Sequence, residues 1–163
     1  MKLNRLAFYG LFLFLFSIGL TACTDSNAVI DTNQEINKRT WSYVDKVKIP
    51  VDISDNQATY NLYINLRHSA DYKYSNIFIL IHQTSPDGKQ ITERKEIKLA
   101  LPDGEWLGKG SGSLYSYQVL VRSNYRFARP GKYIFELEQN MRDNPLREVT
   151  DAGIRIEKAN NSK

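Results

Sequence analysis

From Tyr60 the chain alternates. Tyr60, Leu62, Ile64 and Leu66 take every second position, with Asn61, Tyr63, Asn65 and Arg67 between them. A period of two predicts a strand with one dry face and one wet face. Asn76 to Ile81 is a continuous apolar run after its first residue, a length that suits a strand buried on both faces. Pro86-Asp87-Gly88 then marks a turn, because Pro presets φ and Gly accepts a positive φ. Ile91, Glu93, Lys95, Ile97 and Leu99 open the next strand. Tyr117, Val119 and Val121 share one face. So do Tyr133, Phe135 and Leu137, after the turn at Pro130-Gly131, and Ile154 and Ile156 close the series. Val47, Ile49, Val51 and Ile53 also alternate, but Pro50 lacks the ladder N–H, which places that run at a sheet edge. About seven strands without a long helical period predict an all-β fold, an antiparallel β-sandwich or jelly-roll-like domain, with a barrel as the alternative. Pro102 to Ser113 and Asn140 to Thr150 do not read as strands.

The amino-terminal pattern differs. Lys2 and Arg5 precede a 15-residue apolar run, Leu6 to Leu20. That length fits a signal h-region and is short for a spanning helix, which needs ~20 residues; a retained membrane helix is the alternative. Leu20-Thr21-Ala22-Cys23 follows, and it resembles a bacterial lipobox. Small residues admit the peptidase, and the Cys23 thiolate takes a diacylglyceryl group as a thioether. The domain reading is therefore a lipoprotein signal peptide at 1–22, a lipidated cysteine with a short polar tether at 23–40, and a single sandwich domain at 41–163. Part of 24–40 has the alternative of a short helix or an extra strand. Cys23 is the only cysteine, so lipidation leaves no thiol for a disulfide. Each buried CH₂ contributes ~0.8 kcal/mol, and stable anchoring takes more than one chain.

Charge changes the picture little. The whole chain carries +4, and losing Lys2 and Arg5 with the signal leaves +2. Both signs are interspersed, which reads as a solvated surface with no nucleic-acid partner.

Three places invite chemistry. The loop from Pro102 to Gly112 holds Asp103, Glu105, Trp106 and four glycines. Trp106, with Tyr115 and Tyr117, offers a stacking platform for a sugar or a partner; it equally suits a plug at one end of the sandwich. Asp103 and Glu105 are too few ligands for Ca²⁺. His68 and His82 are the only histidines, and no acid or cysteine stands at metal-ligand spacing beside them. No nucleophile motif is legible, so the reading is non-enzymatic, with no metal and no cofactor beyond the lipid on Cys23. Arg142 and Arg147 flank Pro145 on an irregular segment, where they either present bidentate donors to an acidic partner or stand in solvent.

Several pieces in order carry a family resemblance. They are the lipobox, Leu66-Arg67-His68 with Tyr72 and Tyr74-Ser75-Asn76, and Gly104-Glu105-Trp106-Leu107-Gly108. Gly131-Lys132-Tyr133, Gln139-Asn140-Met141-Arg142 with Asn144-Pro145-Leu146, and Asp151-Ala152-Gly153-Ile154-Arg155-Ile156-Glu157 complete them. Together they resemble the gliding-motility lipoprotein GldH family of Bacteroidota over nearly the whole chain. The resemblance implies a membrane-anchored cell-envelope lipoprotein with a structural or assembly role in gliding motility and the linked type IX secretion machinery. Its implied partners are the membrane, through the lipid, and other envelope proteins. No catalytic motif carries over; only Cys23 transfers as a functional residue. The carbohydrate-binding envelope lipoprotein is the alternative. Thr24-Asp25-Ser26 lacks a dense acidic run, which favours a periplasm-facing domain.

Overall fold

The computed structural model describes residues 27–159. The signal segment and Cys23 lie outside the described residues.

Each predicted alternation forms a strand, and the wet and dry faces fall as the period requires. In β4 (Tyr60–Ser69), Tyr60, Leu62, Ile64 and Leu66 are buried. In β3 (Val47–Ile53) and β9 (Gly131–Gln139) burial alternates residue by residue. β5 (Asn76–Thr84) alternates too, with Ile77, Ile79, Ile81 and Gln83 buried and Phe78, Leu80 and His82 half-buried. The continuous apolar run is thus not covered on both faces. Its outer side chains are shielded by neighbours instead, as where the Arg94 guanidinium sits 3.8 Å from the Phe78 ring centre. β6 (Gln90–Lys98), at the other edge of its sheet from β3, buries only Ile97, and Ile91 is exposed.

Four further elements lie where alternation was weak or absent: β1 (Ala28–Glu35), β2 (Thr40–Trp41), β7 (Lys109–Ser111) and β10 (Leu146–Arg147). With β8 (Leu114–Tyr125) and β11 (Val149–Lys158) the strands make two antiparallel sheets and a ribbon. The first sheet runs β1-β11-β4-β8-β7, the second β3-β9-β5-β6, and β10 pairs β2. Pro50 sits on the edge strand β3, as its missing N–H requires. The inner faces share one core that includes Ile64 and Ile154 from the first sheet and Ile79 and Phe135 from the second. Burying each such side chain contributes ~1.5–3 kcal/mol. Phe127 ties the layers, with ring centres 5.3 Å from Tyr60 and 4.7 Å from Tyr133.

Within the stretch expected as a tether at 23–40, the described residues 28–35 take the alternative of an extra strand. Residues 28–35 are β1, paired with β11 from Ala28↔Glu157 to Glu35↔Asp151. Ile36 is buried and its N–H bonds the Thr150 carbonyl at 2.9 Å. The stretch is polar because β1 is an edge strand with one face in solvent, so polarity alone does not tell such a strand from a tether.

Strand direction gives the sandwich two ends. Asn27, residues 54–59, 85–89 and 126–130 share one. Lys158 N–H bonds the Asn27 carbonyl at 3.0 Å, Asn56 reaches the Ala128 carbonyl at 3.4 Å, and Arg129 pairs with Asp87 at 3.2 Å. Residues 36–46, 69–75, 99–113 and 140–148 share the other, tied by bonds such as Ser69 N–H to the Glu148 carbonyl, 3.0 Å, and Ala70 N–H to the Ser113 carbonyl, 2.8 Å.

Candidate functional site

The segment 140–148 lies at the end opposite Asn27, and its backbone is held at almost every step. Gln139, buried in β9, accepts from Met141 N–H at 2.8 Å and donates to the Asp143 carbonyl at 3.2 Å. Asn144 Oδ1 accepts from Tyr43 N–H at 3.1 Å. Leu146 is buried opposite Trp41, and Glu148 N–H bonds the Arg39 carbonyl at 2.7 Å. The result is an irregular loop with little freedom.

A hollow of about 550 Å³ opens on this loop, lined by Lys73, Tyr74, Arg142, Asp143, Arg147 and Glu148 among others. Its acids are largely engaged. Hydrogen bonds from Tyr74 and then Lys73, 3.2 Å away, hold the Asp143 carboxyl below the usual carboxylate range. Glu148 accepts from the Ser69 hydroxyl at 2.6 Å and faces Arg39 at 3.7 Å. Arg142 and Arg147 are exposed and have no hydrogen-bond or ion-pair partner among the described residues. The structure therefore brings the two predicted arginines to one hollow, with their donors open. Tyr43 and Val44, 49% and 70% exposed, lie beside it on the segment bonded to Asn144. Exposed apolar groups next to unpaired arginines have the composition of an interaction hot spot. Tyr43 and Val44 carry no signal of their own in the sequence; the β10–β2 pairing brings them here.

Trp106 lies elsewhere at the same end. It is half-buried and closes a cluster around His68, with ring centres 4.5 Å apart. Tyr117 and Tyr115 stack on the same imidazole at 5.2 and 5.8 Å, and Tyr72 tilts against it at 5.0 Å. Gly108 has to be glycine for this packing: a Cβ there would lie 2.6 Å from the Tyr117 ring. The three aromatics proposed as a stacking platform thus point into the molecule and plug its end. His68 is fully buried. Its Nδ1 lies 2.7 Å from the Ser69 carbonyl and its Nε2 3.0 Å from the Tyr117 hydroxyl. Burial pushes its pKa down, against the opposing pull of the Ser69 carbonyl. Asp103 spends its carboxylate on its own turn, accepting from Glu105 N–H at 3.2 Å. His82 bonds Thr92 and Glu138, each at 2.9 Å, on the outer face of the second sheet.

The outer face of the first sheet carries a polar ladder that no motif announced. Asn65 donates to Asp31 at 2.7 Å and accepts from Gln118 at 3.0 Å; Arg67 Nε donates to Asp151 at 2.6 Å. These residues border a broad groove of about 680 Å³. Its signal in the sequence was the wet face of β4, but the partners become visible only with the register.

The profile of the family described as GldH lipoprotein matches residues 28–156. A protein from Christiangramia forsetii described as a gliding motility lipoprotein GldH homolog is 34% identical over 160 residues, covering 94% of this chain and 98% of that one. The gliding motility lipoprotein GldH of Flavobacterium johnsoniae is 28% identical over 152 residues, covering 89% and 93%.

Proposed function

The chain belongs to the GldH lipoprotein family, and from that premise we propose that it is a non-enzymatic structural module of the gliding-motility apparatus and the linked type IX secretion machinery. It is held to a membrane of the cell envelope by lipid on Cys23, faces the periplasm, and binds another envelope protein through the hollow at Arg142 and Arg147. The observation that carries this reading is the contrast within one loop. Its backbone and its acids are fixed, while two guanidinium groups are left exposed without partners among the described residues. Each can grip a carboxylate through two parallel N–H donors, and their loop needs little further ordering when it binds. Tyr43 and Val44 add apolar area that water exclusion makes favourable.

The test is the double charge reversal Arg142→Glu with Arg147→Glu. Circular dichroism should be unchanged, since both side chains stand clear of the core. Co-purification of the lipidated protein with its envelope partner from mild detergent, scored by mass spectrometry, should fall at least tenfold. An unaltered complex removes this hollow from the interface.

A further inference from the structure

We propose that the end of the sandwich opposite the arginine hollow rests on anionic lipid headgroups, so that the hollow is presented away from the membrane. The inference rests on the reading of Cys23 as the lipid-bearing residue.

Chain length argues first. Three residues, Thr24 to Ser26, separate Cys23 from Asn27, and even fully extended that span reaches no more than ~15 Å. Asn27 is fastened to the fold by its carbonyl, which accepts from Lys158 N–H at 3.0 Å. The domain therefore cannot stand off from its anchor, and the end that holds Asn27 is the end nearest the lipid. β1 runs from there to Glu35, eight residues, or roughly 25 Å along the strand. The loops of the far end, Arg142 and Arg147 among them, lie that much further out.

Charge argues second. At the near end Asp55 is paired with Lys158 at 3.3 Å and Asp87 with Arg129 at 3.2 Å. Among the described residues, Lys89, Arg126 and Lys132 remain exposed with no ion pair, against one unpaired carboxylate, Asp52, which stands across the ladder from Lys132. Three free cations on the face that the anchor presses toward the bilayer complement anionic headgroups. Of the exposed apolar side chains, Tyr43, Val44 and Leu107 lie at the other end, beyond the reach of the anchor, and Val29 and Ile91 lie at the near end.

The experiment uses the lipidated protein in vesicles of phosphatidylcholine alone or mixed with phosphatidylglycerol, each doped with a nitroxide-headgroup lipid. Because the only native sulfhydryl is taken by the lipid, one added cysteine gives one labelled site. Gln57→Cys, exposed at the near end, and Ser111→Cys, exposed at the far end, each carry a fluorophore. The Gln57 label should be quenched several-fold more than the Ser111 label, and more so with phosphatidylglycerol. High salt, or Lys89→Glu with Arg126→Glu and Lys132→Glu, should remove the gain due to phosphatidylglycerol. Protein that fails to float with either vesicle overturns the lipid-anchor reading itself. Protein that floats but quenches equally at both labels, or indifferently to phosphatidylglycerol and salt, overturns the proposed face.

Discussion

The His68 imidazole stands 3.0 Å from the Tyr117 hydroxyl, sealed from solvent beneath Trp106. In the neutral ring the proton belongs on Nδ1, which donates to the Ser69 carbonyl. The single Tyr117 hydroxyl proton then lies between two acceptors, His68 Nε2 and the Leu99 carbonyl at 2.8 Å. Protonation would bury a charge and turn the Tyr117 bond around.

That arrangement makes a pH prediction. Burial holds the His68 pKa below its ordinary value. Below about pH 6.5 the unfolded chain therefore binds a proton that the folded chain refuses, and stability falls as pH drops through that window. Thermal melts from about pH 7 to about pH 5 should show a steeper loss for the native protein than for His68→Gln. The difference between the two slopes is the readout, since carboxylates titrate in both proteins. Parallel slopes would mean that His68 takes up its proton in the fold as readily as in the unfolded chain.

The face assignment of β4 makes a second. Leu62 is 1% exposed in the core, whereas Asn61 faces outward and accepts from Asn124 N–H through Oδ1 at 3.1 Å. Leu62→Asp buries an unpaired charge and should cost at least ~3 kcal/mol. Asn61→Asp keeps the acceptor and should cost under ~0.5 kcal/mol, as outward substitutions do. Urea unfolding of both variants decides it; equal losses would contradict the faces.

Those two positions show why the sheets were legible. Every strand with a strict period of two was readable because burial on one face imposes that period. Residues 28–40 were not, since an exposed edge strand needs few apolar residues and looks like a linker. β7 and β10 are too short to show a period. The candidate site was half legible. Two arginines on a Pro-containing loop can be read from sequence, but the pairing of Glu148 with Ser69 and of Asp143 with Lys73, which takes up the neighbouring acids, depends on residues about 70 to 80 positions away in the chain. Trp106 was ambiguous because a stacking platform and a plug use the same residues. Only its contact with buried His68 separates them.

Gly153 makes a third prediction. It lies in β11 directly opposite Asn33 of β1, and a Cβ there would overlap the Thr32 carbonyl and the Asn33 side chain. Backbone cannot swing aside as a flexible side chain can. Gly153→Ala should therefore loosen β1 and cost about 1–3 kcal/mol, in the range of overpacked cores. Hydrogen exchange should show faster opening of the 28–35 amides than of the β4 amides. Uniform acceleration would mean that β1 and the rest of the sheet open as one unit.

The last prediction separates anchor from fold. Cys23 lies outside the described residues, but its place is fixed by sequence: five positions before β1 begins at Ala28. No other side chain can form the thioether, because the chain has no second cysteine. Cys23→Ser should abolish incorporation of labelled palmitate. It should also leave the chain unprocessed, with the apolar run from Leu6 to Leu20 still attached, or mislocalised. The described fold begins after Cys23 and draws its core from residues 36 to 156, so the thermal midpoint of the purified Ser variant should equal that of the lipidated protein. Labelling and processing are scored on the same cells, and melting on protein from them. Persistence of both label and processing in the Ser variant would refute lipidation at this residue. Loss of folding along with the lipid would instead show that the anchor contributes to the domain, against the independence that the core composition predicts.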